Sequence, residues 1–278
     1  MKISDALNET INNLKNAGIE SAAIDARVLL AYILKIDKIK LITNNQKLLS
    51  SKDISKLQKT VKRRITGEPV AYITGIKEFY SIDFKVTKDV LIPRPETELL
   101  VDMAIFYAKK DASVLDVGTG SGAIAIAFKK HRPDCIVYAC DISEKALNVA
   151  KENAKKISGC NDIIFCKSNL FQSYKSKKFD LILANPPYVD IEQKQNLQKE
   201  VLFEPEKALF SKDHGKEIIK KIISKAEKYL NKDGILILEI GYDQGHFTKI
   251  TGKEFNYSVS ILKDYSDFPR LAILQKII

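Results

Sequence analysis

Apolar residues recur at helical spacing through the first 65 positions of the chain. Ala6, Leu7, Ile11 and Leu14 share one face of a first helix, with Ser4 or Asp5 as its cap and Gly18 as its stop. Ser21 opens a second helix that turns Ile24, Val28, Leu29, Tyr32 and Ile33 inward. Ser51 or Asp53 opens a third, running through Ile54, Leu57, Val61 and Ile65 to Gly67. The pattern predicts a small helical bundle that carries no catalytic constellation. Gly67-Glu68-Pro69 breaks it. Residues 70–92 then change character, with aromatic and β-branched side chains at near-alternating polarity, which predicts a hairpin punctuated by Pro93 and Pro95.

From residue 97 the period itself alternates. Strands are expected at 113–117, 136–140, 163–166, 179–184 and 235–240, and helices at 98–109, 123–130, 143–156 and 215–230. Such alternation predicts a mainly parallel sheet with helices on both faces, whose ligands bind beyond the carboxyl ends of the strands. The expected organisation is a helical domain over residues 1–70, a β-hairpin linker over 71–96 and an α/β domain over 97–278.

Composition narrows the class. The 278 residues are 45% hydrophobic and 29% charged, enough apolar material for a sizeable core. No run approaches the roughly 18 apolar residues that span a membrane. The N-terminal segment turns polar and acidic too early for a signal peptide, so a soluble, cytoplasmic protein is expected. Net charge is +10, and residues 1–75 hold 13 basic against 7 acidic side chains. That surplus suits steering of an acidic partner; it suits compositional bias equally well. Cys135, Cys140, Cys160 and Cys166 form no metal-ligand spacing, and His131, His214 and His246 are scattered, so reduced thiols and no metal are expected.

Two motifs carry chemistry. The strand ending in Asp116-Val117 runs into Gly118-Thr119-Gly120-Ser121-Gly122 and then a helix, so that backbone amides and a helix N-terminus can approach a ligand. No Gly-Lys-Ser/Thr follows, which excludes a phosphate loop, and the spacing differs from that of dinucleotide enzymes. Asp141 ends the next strand, where a carboxylate can accept both ribose hydroxyls or simply cap the helix beginning at Ser143. Together they point to a nucleoside-type cofactor.

Asn185-Pro186-Pro187-Tyr188 follows the fourth strand. Proline pushes Asn185 into extended geometry, its missing N–H leaves nearby carbonyls as acceptors, and Tyr188 offers a flat face. Such a site accepts hydrogen bonds from a planar NH2 group, as methylation of an amide or aromatic amine requires. Rotating an amide fully out of conjugation costs about 18–20 kcal/mol. Preorganised acceptors contribute a few kcal/mol against part of that, and holding nitrogen and methyl in line is worth up to roughly 7–11 kcal/mol.

The glycine loop, Asp141 and Asn185-Pro186-Pro187-Tyr188 resemble class I S-adenosylmethionine-dependent methyltransferases with a Rossmann-like seven-stranded sheet. Leu91-Ile92-Pro93-Arg94-Pro95-Glu96-Thr97-Glu98 resembles the signature of the release-factor glutamine methyltransferases (the HemK/PrmC family), and Phe203-Glu204-Pro205, Ala208-Leu209 and Gly241-Tyr242 match the same pattern. The resemblance spans essentially the whole chain. It implies methylation of the glutamine amide in the Gly-Gly-Gln motif of class 1 peptide chain release factors, with S-adenosylhomocysteine as product. It implies further that Gly118, Thr119, Gly120, Ser121 and Gly122 cradle the methionine part and Asp141 the ribose. Asn185 and the Pro186 carbonyl would accept from the substrate amide, while Pro187 and Tyr188 shape the slot. The helical domain would grip the release factor, and a monomer without direct nucleic-acid contact is expected. Asn169 and Leu170 stand where relatives commonly carry an acidic and an aromatic residue, so adenine would meet a neutral oxygen and an aliphatic side chain. Arg94 orders the linker or pocket, or is a surface ion pair of little worth. Glu204 poses the same choice. Alternatives from other substrate classes are a ribosomal-protein glutamine methyltransferase and an adenine-specific DNA methyltransferase; the latter should carry a target-recognition domain and a large basic face.

Overall fold

Strands as apolar as Val114–Val117 and Leu181–Ala184 can be stable only with both faces covered, and the computed structural model, which describes residues 1–277, covers them. The central sheet has seven strands: β3 (Ser113–Val117), β4 (Ile136–Asp141), β5 (Ile164–Lys167), β6 (Phe179–Ala184), β9 (Leu230–Glu239), β10 (Tyr257–Lys263) and β11 (Pro269–Lys276). Their order is β10-β11-β9-β6-β3-β4-β5. Five run parallel, and β11 lies antiparallel between β9 and β10.

One face buries Leu100, Ile124, Ile126, Phe128, Val137 and Ile237 under α6 (Glu98–Tyr107), α7 (Ala123–His131) and α8 (Glu144–Lys156). The hairpin β1 (Ile76–Phe79) and β2 (Ile82–Lys85) adds Phe79 and Phe84 to that same core. The other face buries Leu115, Ile182, Leu236 and Leu238 under α10 (Glu217–Ala226) and α11 (Gly245–Glu254). Short strands β7 (Val189–Asp190) and β8 (Phe210–Ser211) pair outside the sheet, beside the one-turn α9 (Glu206–Leu209).

The chain leaves β3 toward β4 and β5, then returns to the opposite side of β3 with β6 and β9. The reversal makes the carboxyl ends of β3 and β6 the switch point of the sheet. The glycine loop and Asn185 follow those two strands, so the topology sets the two motifs side by side.

Two compact units are present: Met1–Ile76 with Gln198–Phe203, and Lys77–Leu197 with the chain from Glu204 onward. The first holds α1 (Ile3–Asn16), α2 (Ala22–Leu34), α3 (Lys38–Thr43), α4 (Ser51–Ile65) and α5 (Val70–Thr74) around Leu14, Leu30, Leu57 and Val61. Its capping differs from expectation. Lys2 precedes α1, with Asp5 reaching back to its amide at 3.1 Å, and Ser50 caps α4 by accepting from the Asp53 amide at 3.1 Å. Ile24 and Tyr32 are exposed, because the inward face of α2 is carried by Ala22, Asp25, Ala26, Leu29, Leu30 and Ile33. Asp25 is there to meet Arg64 at 2.7 Å, and Arg64 also reaches Glu200 at 3.0 Å. Residues 70–74 form a helical turn, so the hairpin begins only at Ile76.

Candidate functional site

The glycine loop is shaped by backbone conformation. Gly118, Gly120 and Gly122 have φ of 78°, 55° and 83°, a region that side-chain-bearing residues adopt at a cost. A Cβ on Gly118 or Gly120 would meet nothing within 4 Å, whereas one on Gly122 would lie 2.9 Å from Ile126 Cδ1 and 3.1 Å from Ala150 Cβ. Gly122 is therefore required for packing, while positions 118 and 120 face open space.

The loop amides are not free donors. Gly118 and Thr119 donate to the Cys140 carbonyl at 2.8 and 2.9 Å, Gly120 to Asp141 Oδ2 at 2.9 Å, and Gly122 to the Thr119 carbonyl at 2.8 Å. These four amides are thus engaged within the protein. Asp141 accepts from Gly120 and, through Oδ1, from the Ser143 amide at 2.8 Å, so it braces the loop and holds Ser143, which itself caps α8 by accepting from the Ala146 amide. Burial raises its pKa against those amides.

Asp116, on β3 beneath the loop, is fully buried. Its Oδ2 accepts from Thr119 Oγ1 at 2.6 Å, while Oδ1 has no partner of hydrogen-bond geometry, although the Ala125 amide lies near enough to favour the charged form. Burial pushes its carboxyl up to about 7, with Thr119 and Ala125 opposing. Two acidic groups without a cationic partner among the described residues, beside the glycine loop, favour a cationic ligand and disfavour phosphate. S-adenosylmethionine, cationic at both sulfonium and ammonium, fits that donor set. A dinucleotide does not.

Thr119 and Ser121 have buried side chains: the Thr119 hydroxyl is committed to Asp116, and the Ser121 carbonyl accepts from Asn153 Nδ2 at 2.8 Å. The turn after β5 is tied to the same edge by the Ser168 amide, which donates to the Asp141 carbonyl at 3.0 Å. It leaves Asn169 exposed and Leu170 half-buried with φ of 52°.

Asn185 continues β6. Its Nδ2 donates to Thr97 Oγ1 at 3.1 Å, Thr97 donates to Glu239 Oε2 at 2.6 Å, and the Tyr188 hydroxyl donates to Glu239 Oε1 at 3.1 Å. Thr97 and Glu239 are buried. Burial raises the Glu239 pKa, opposed by Thr97, Tyr188 and Arg270. Burial and the Glu239 charge raise that of Tyr188, which stays a neutral phenol. The Tyr188 carbonyl is held by Gln244 Nε2 at 3.0 Å, whose Oε1 accepts from the Gly241 amide at 2.9 Å. Among the described residues no hydrogen bond reaches Asn185 Oδ1 or the Pro186 carbonyl. Both remain acceptors.

Arg94 pairs with buried Glu204, which also accepts from the Ile92 amide at 3.0 Å. This pair ties the Pro-Arg-Pro segment to Glu204-Pro205 inside the second unit and is no surface ornament. The scattered histidines need one amendment: His214 Nδ1 lies 2.8 Å from Asp190 Oδ2 with Glu192 nearby, an exposed cluster. All four cysteines are free thiols.

Asp116, Thr97, Glu239 and Gln244 were missed in the sequence reading. Asp116 did carry a signal, as the one acid of β3, and so did Glu239, which ends the apolar run 235–238. Thr97 lay within the Pro-Arg-Pro-Glu-Thr-Glu signature without a role of its own, and Gln244 carried no signal.

An acidic glycine loop beside a neutral acceptor motif, at the switch point of a seven-stranded sheet with an antiparallel β11, defines a class I methyltransferase. Comparison with known proteins narrows this. Residues 5–75 match the PrmC N-terminal domain model and residues 95–213 the methyltransferase small domain model. A release factor glutamine methyltransferase of Buchnera aphidicola is 37% identical, covering 99% of this chain and 100% of that one. One of Thermodesulfovibrio yellowstonii is 37% identical over 99% of each. A crystal structure of a methyltransferase from Pyrococcus furiosus shares the fold, with TM-score 0.56 and 20% identity over 81% of this chain and 100% of that one. The chain belongs to the release factor glutamine methyltransferase family. Among the described residues no helix is long and apolar enough to cross a membrane.

Proposed function

We propose that the protein methylates the side-chain amide nitrogen of the glutamine in the Gly-Gly-Gln motif of class 1 peptide chain release factors, with S-adenosylmethionine as donor. The observation that carries this reading is the pairing of two acceptors that no group among the described residues occupies, Asn185 Oδ1 and the Pro186 carbonyl, with the acidic glycine loop one strand away. The names of the full-length relatives supply the substrate.

Gly118 and Gly120 would leave room for the methionine part, Asp116 and Asp141 would face its positive charge and its ribose, and Asn169 and Leu170 would flank adenine. When bound, the donor supplies a methyl group on a positively charged sulfur. Asn185 Oδ1 and the Pro186 carbonyl accept the two amide N–H bonds, favouring the pyramidal nitrogen that attack requires. Pro187 and the Tyr188 ring limit the slot to a planar group. No base is needed, because an N-alkylated amide carrying an extra proton loses it to water. Glu204 is in any case committed to Arg94 and Ile92. The basic helical unit gives the release factor a surface to be steered to.

The test is one incubation of the protein with S-adenosylmethionine, a class 1 release factor, ribosomal proteins and duplex DNA, followed by mass spectrometry. One methyl on the release factor alone is expected. Methylated adenine or a methylated ribosomal protein with an untouched release factor would overturn the substrate.

A further inference from the structure

A carboxamide can present either its oxygen or its NH2 to a substrate, and the two are nearly the same shape. Something must choose between them at Asn185, because an NH2 pointed at the substrate amide would repel the very protons the site has to accept. Nothing in the Asn-Pro-Pro-Tyr segment makes that choice. It is made below it.

The Thr97 hydroxyl has one proton to give, and its short contact, 2.6 Å, is with Glu239 Oε2. The other carboxylate oxygen takes the Tyr188 hydroxyl proton at 3.1 Å. Glu239 is fully buried, so water does not compete for either oxygen. With its proton committed, Thr97 Oγ1 can face Asn185 only as an acceptor. The Asn185 atom 3.1 Å away must then be Nδ2, which turns Oδ1 toward the slot.

We propose that Thr97 and Glu239 are positioning residues that fix the polarity of the Asn185 amide and so make the site select an amide NH2 over a carboxylate at the reacting position. The proposal rests on reading Asn185 Oδ1 as the substrate's acceptor. A glutamate in place of the target glutamine would bring oxygen against oxygen and be rejected, which is specificity by an unfavourable contact. Were Asn185 free to turn, it would offer NH2 to a carboxylate and lose that discrimination.

Two readouts test this. In the free enzyme, the Asn185 side-chain 15N amide signals, assigned by their loss in Asn185→Ala, should show slowed solvent exchange. That protection should vanish in Thr97→Val and persist in Thr97→Ser. In turnover, Thr97→Val should lower kcat about 10–100-fold with KM for the methyl donor within about twofold of wild type. Its preference for binding release factor with Gln over Glu at the target should shrink roughly tenfold, and Thr97→Ser should restore both. Glu239→Gln, which keeps shape but adds a donor, should repeat the Thr97→Val pattern if Thr97→Val does not fold. Protected Asn185 signals and an unchanged Gln-over-Glu preference in both variants would overturn the proposal. If wild-type enzyme leaves the release factor unmodified, the substrate reading falls, while the exchange data still decide what orients Asn185.

Discussion

Replacing the loop glycines one at a time by alanine separates what the fold needs from what the ligand needs. All three hold positive φ, so each alanine costs about 1–2 kcal/mol of backbone strain. At Gly118 and Gly120 that is the whole cost, because the added methyl meets open space. At Gly122 the methyl arrives 2.9 Å from Ile126 Cδ1 and 3.1 Å from Ala150 Cβ. Overpacking adds about 1–3 kcal/mol, for a total of about 2–5 kcal/mol. A unit of this size loses roughly 2–4 °C in Tm per kcal/mol, so the overpacking should make Gly122→Ala melt at least about 2 °C below Gly120→Ala. Binding should rank in the reverse sense relative to stability. The Gly118→Ala and Gly120→Ala methyls project into that open space and should weaken S-adenosylhomocysteine binding at least about tenfold, roughly 1.4 kcal/mol, in a protein that remains folded. Thermal unfolding and isothermal titration calorimetry on the three variants decide it. Wild-type affinity in both Gly118→Ala and Gly120→Ala would refute the assignment of this space to the cofactor.

Three other outcomes follow from the same structure. Asp116 is raised from 3.8 to about 7 by burial and binds a cation only when ionised, so affinity for S-adenosylmethionine should fall roughly 20-fold from pH 7.5 to 5.5. Because the folded protein holds that proton to higher pH than the unfolded chain does, the group's contribution to stability declines as pH rises from 3.8 toward 7. Asp116→Asn should therefore flatten both profiles, and it should unfold at a higher temperature than wild type above pH 7. Asn185→Ala should lower kcat by about 10²–10³ with little change in donor binding, and Asn185→Asp, which cannot donate to Thr97 when ionised, should not rescue it; single-turnover kinetics measures both. In the helical unit, Arg64→Ala strands Asp25 without its buried partner and should cost about 3–5 kcal/mol, read by hydrogen exchange in α2 and α4, whereas the exposed Arg63→Ala should cost under about 1 kcal/mol.

The sheet was legible because its strands declare themselves locally. Ser113–Val117 and Phe179–Ala184 are mostly apolar runs that end at Gly118 and at Asn185-Pro186, and their expected ends are the observed ones. Strands β10 and β11 were not read from the residues, since Tyr257–Lys263 alternates with polar positions and lies at the edge, where burial demands less. In the helical unit, period alone put Ile24 and Tyr32 inward; the register is set instead by Asp25 reaching Arg64, 39 positions away. The same limit governs the site. Gly118, Asp141 and Asn185 follow strands and carry local motifs, but Thr97 lies 88 residues from Asn185 and 142 from Glu239. Their roles exist only once the sheet has closed. The loop amides make the converse point: the glycine spacing placed the loop at the end of β3, yet only the folded chain shows its amides engaged by Cys140, Asp141 and Thr119, with Asp116 buried beneath them.

The most direct test of the account is to supply S-adenosylmethionine labelled with a 13C methyl group to the enzyme and a class 1 release factor, then localise the label by fragment-ion mass spectrometry. The label should lie on the side-chain nitrogen of the Gly-Gly-Gln glutamine, and Asn185→Ala should label that residue about 10²–10³-fold more slowly. A label elsewhere on the release factor, or on the same glutamine at an undiminished rate in Asn185→Ala, would contradict it.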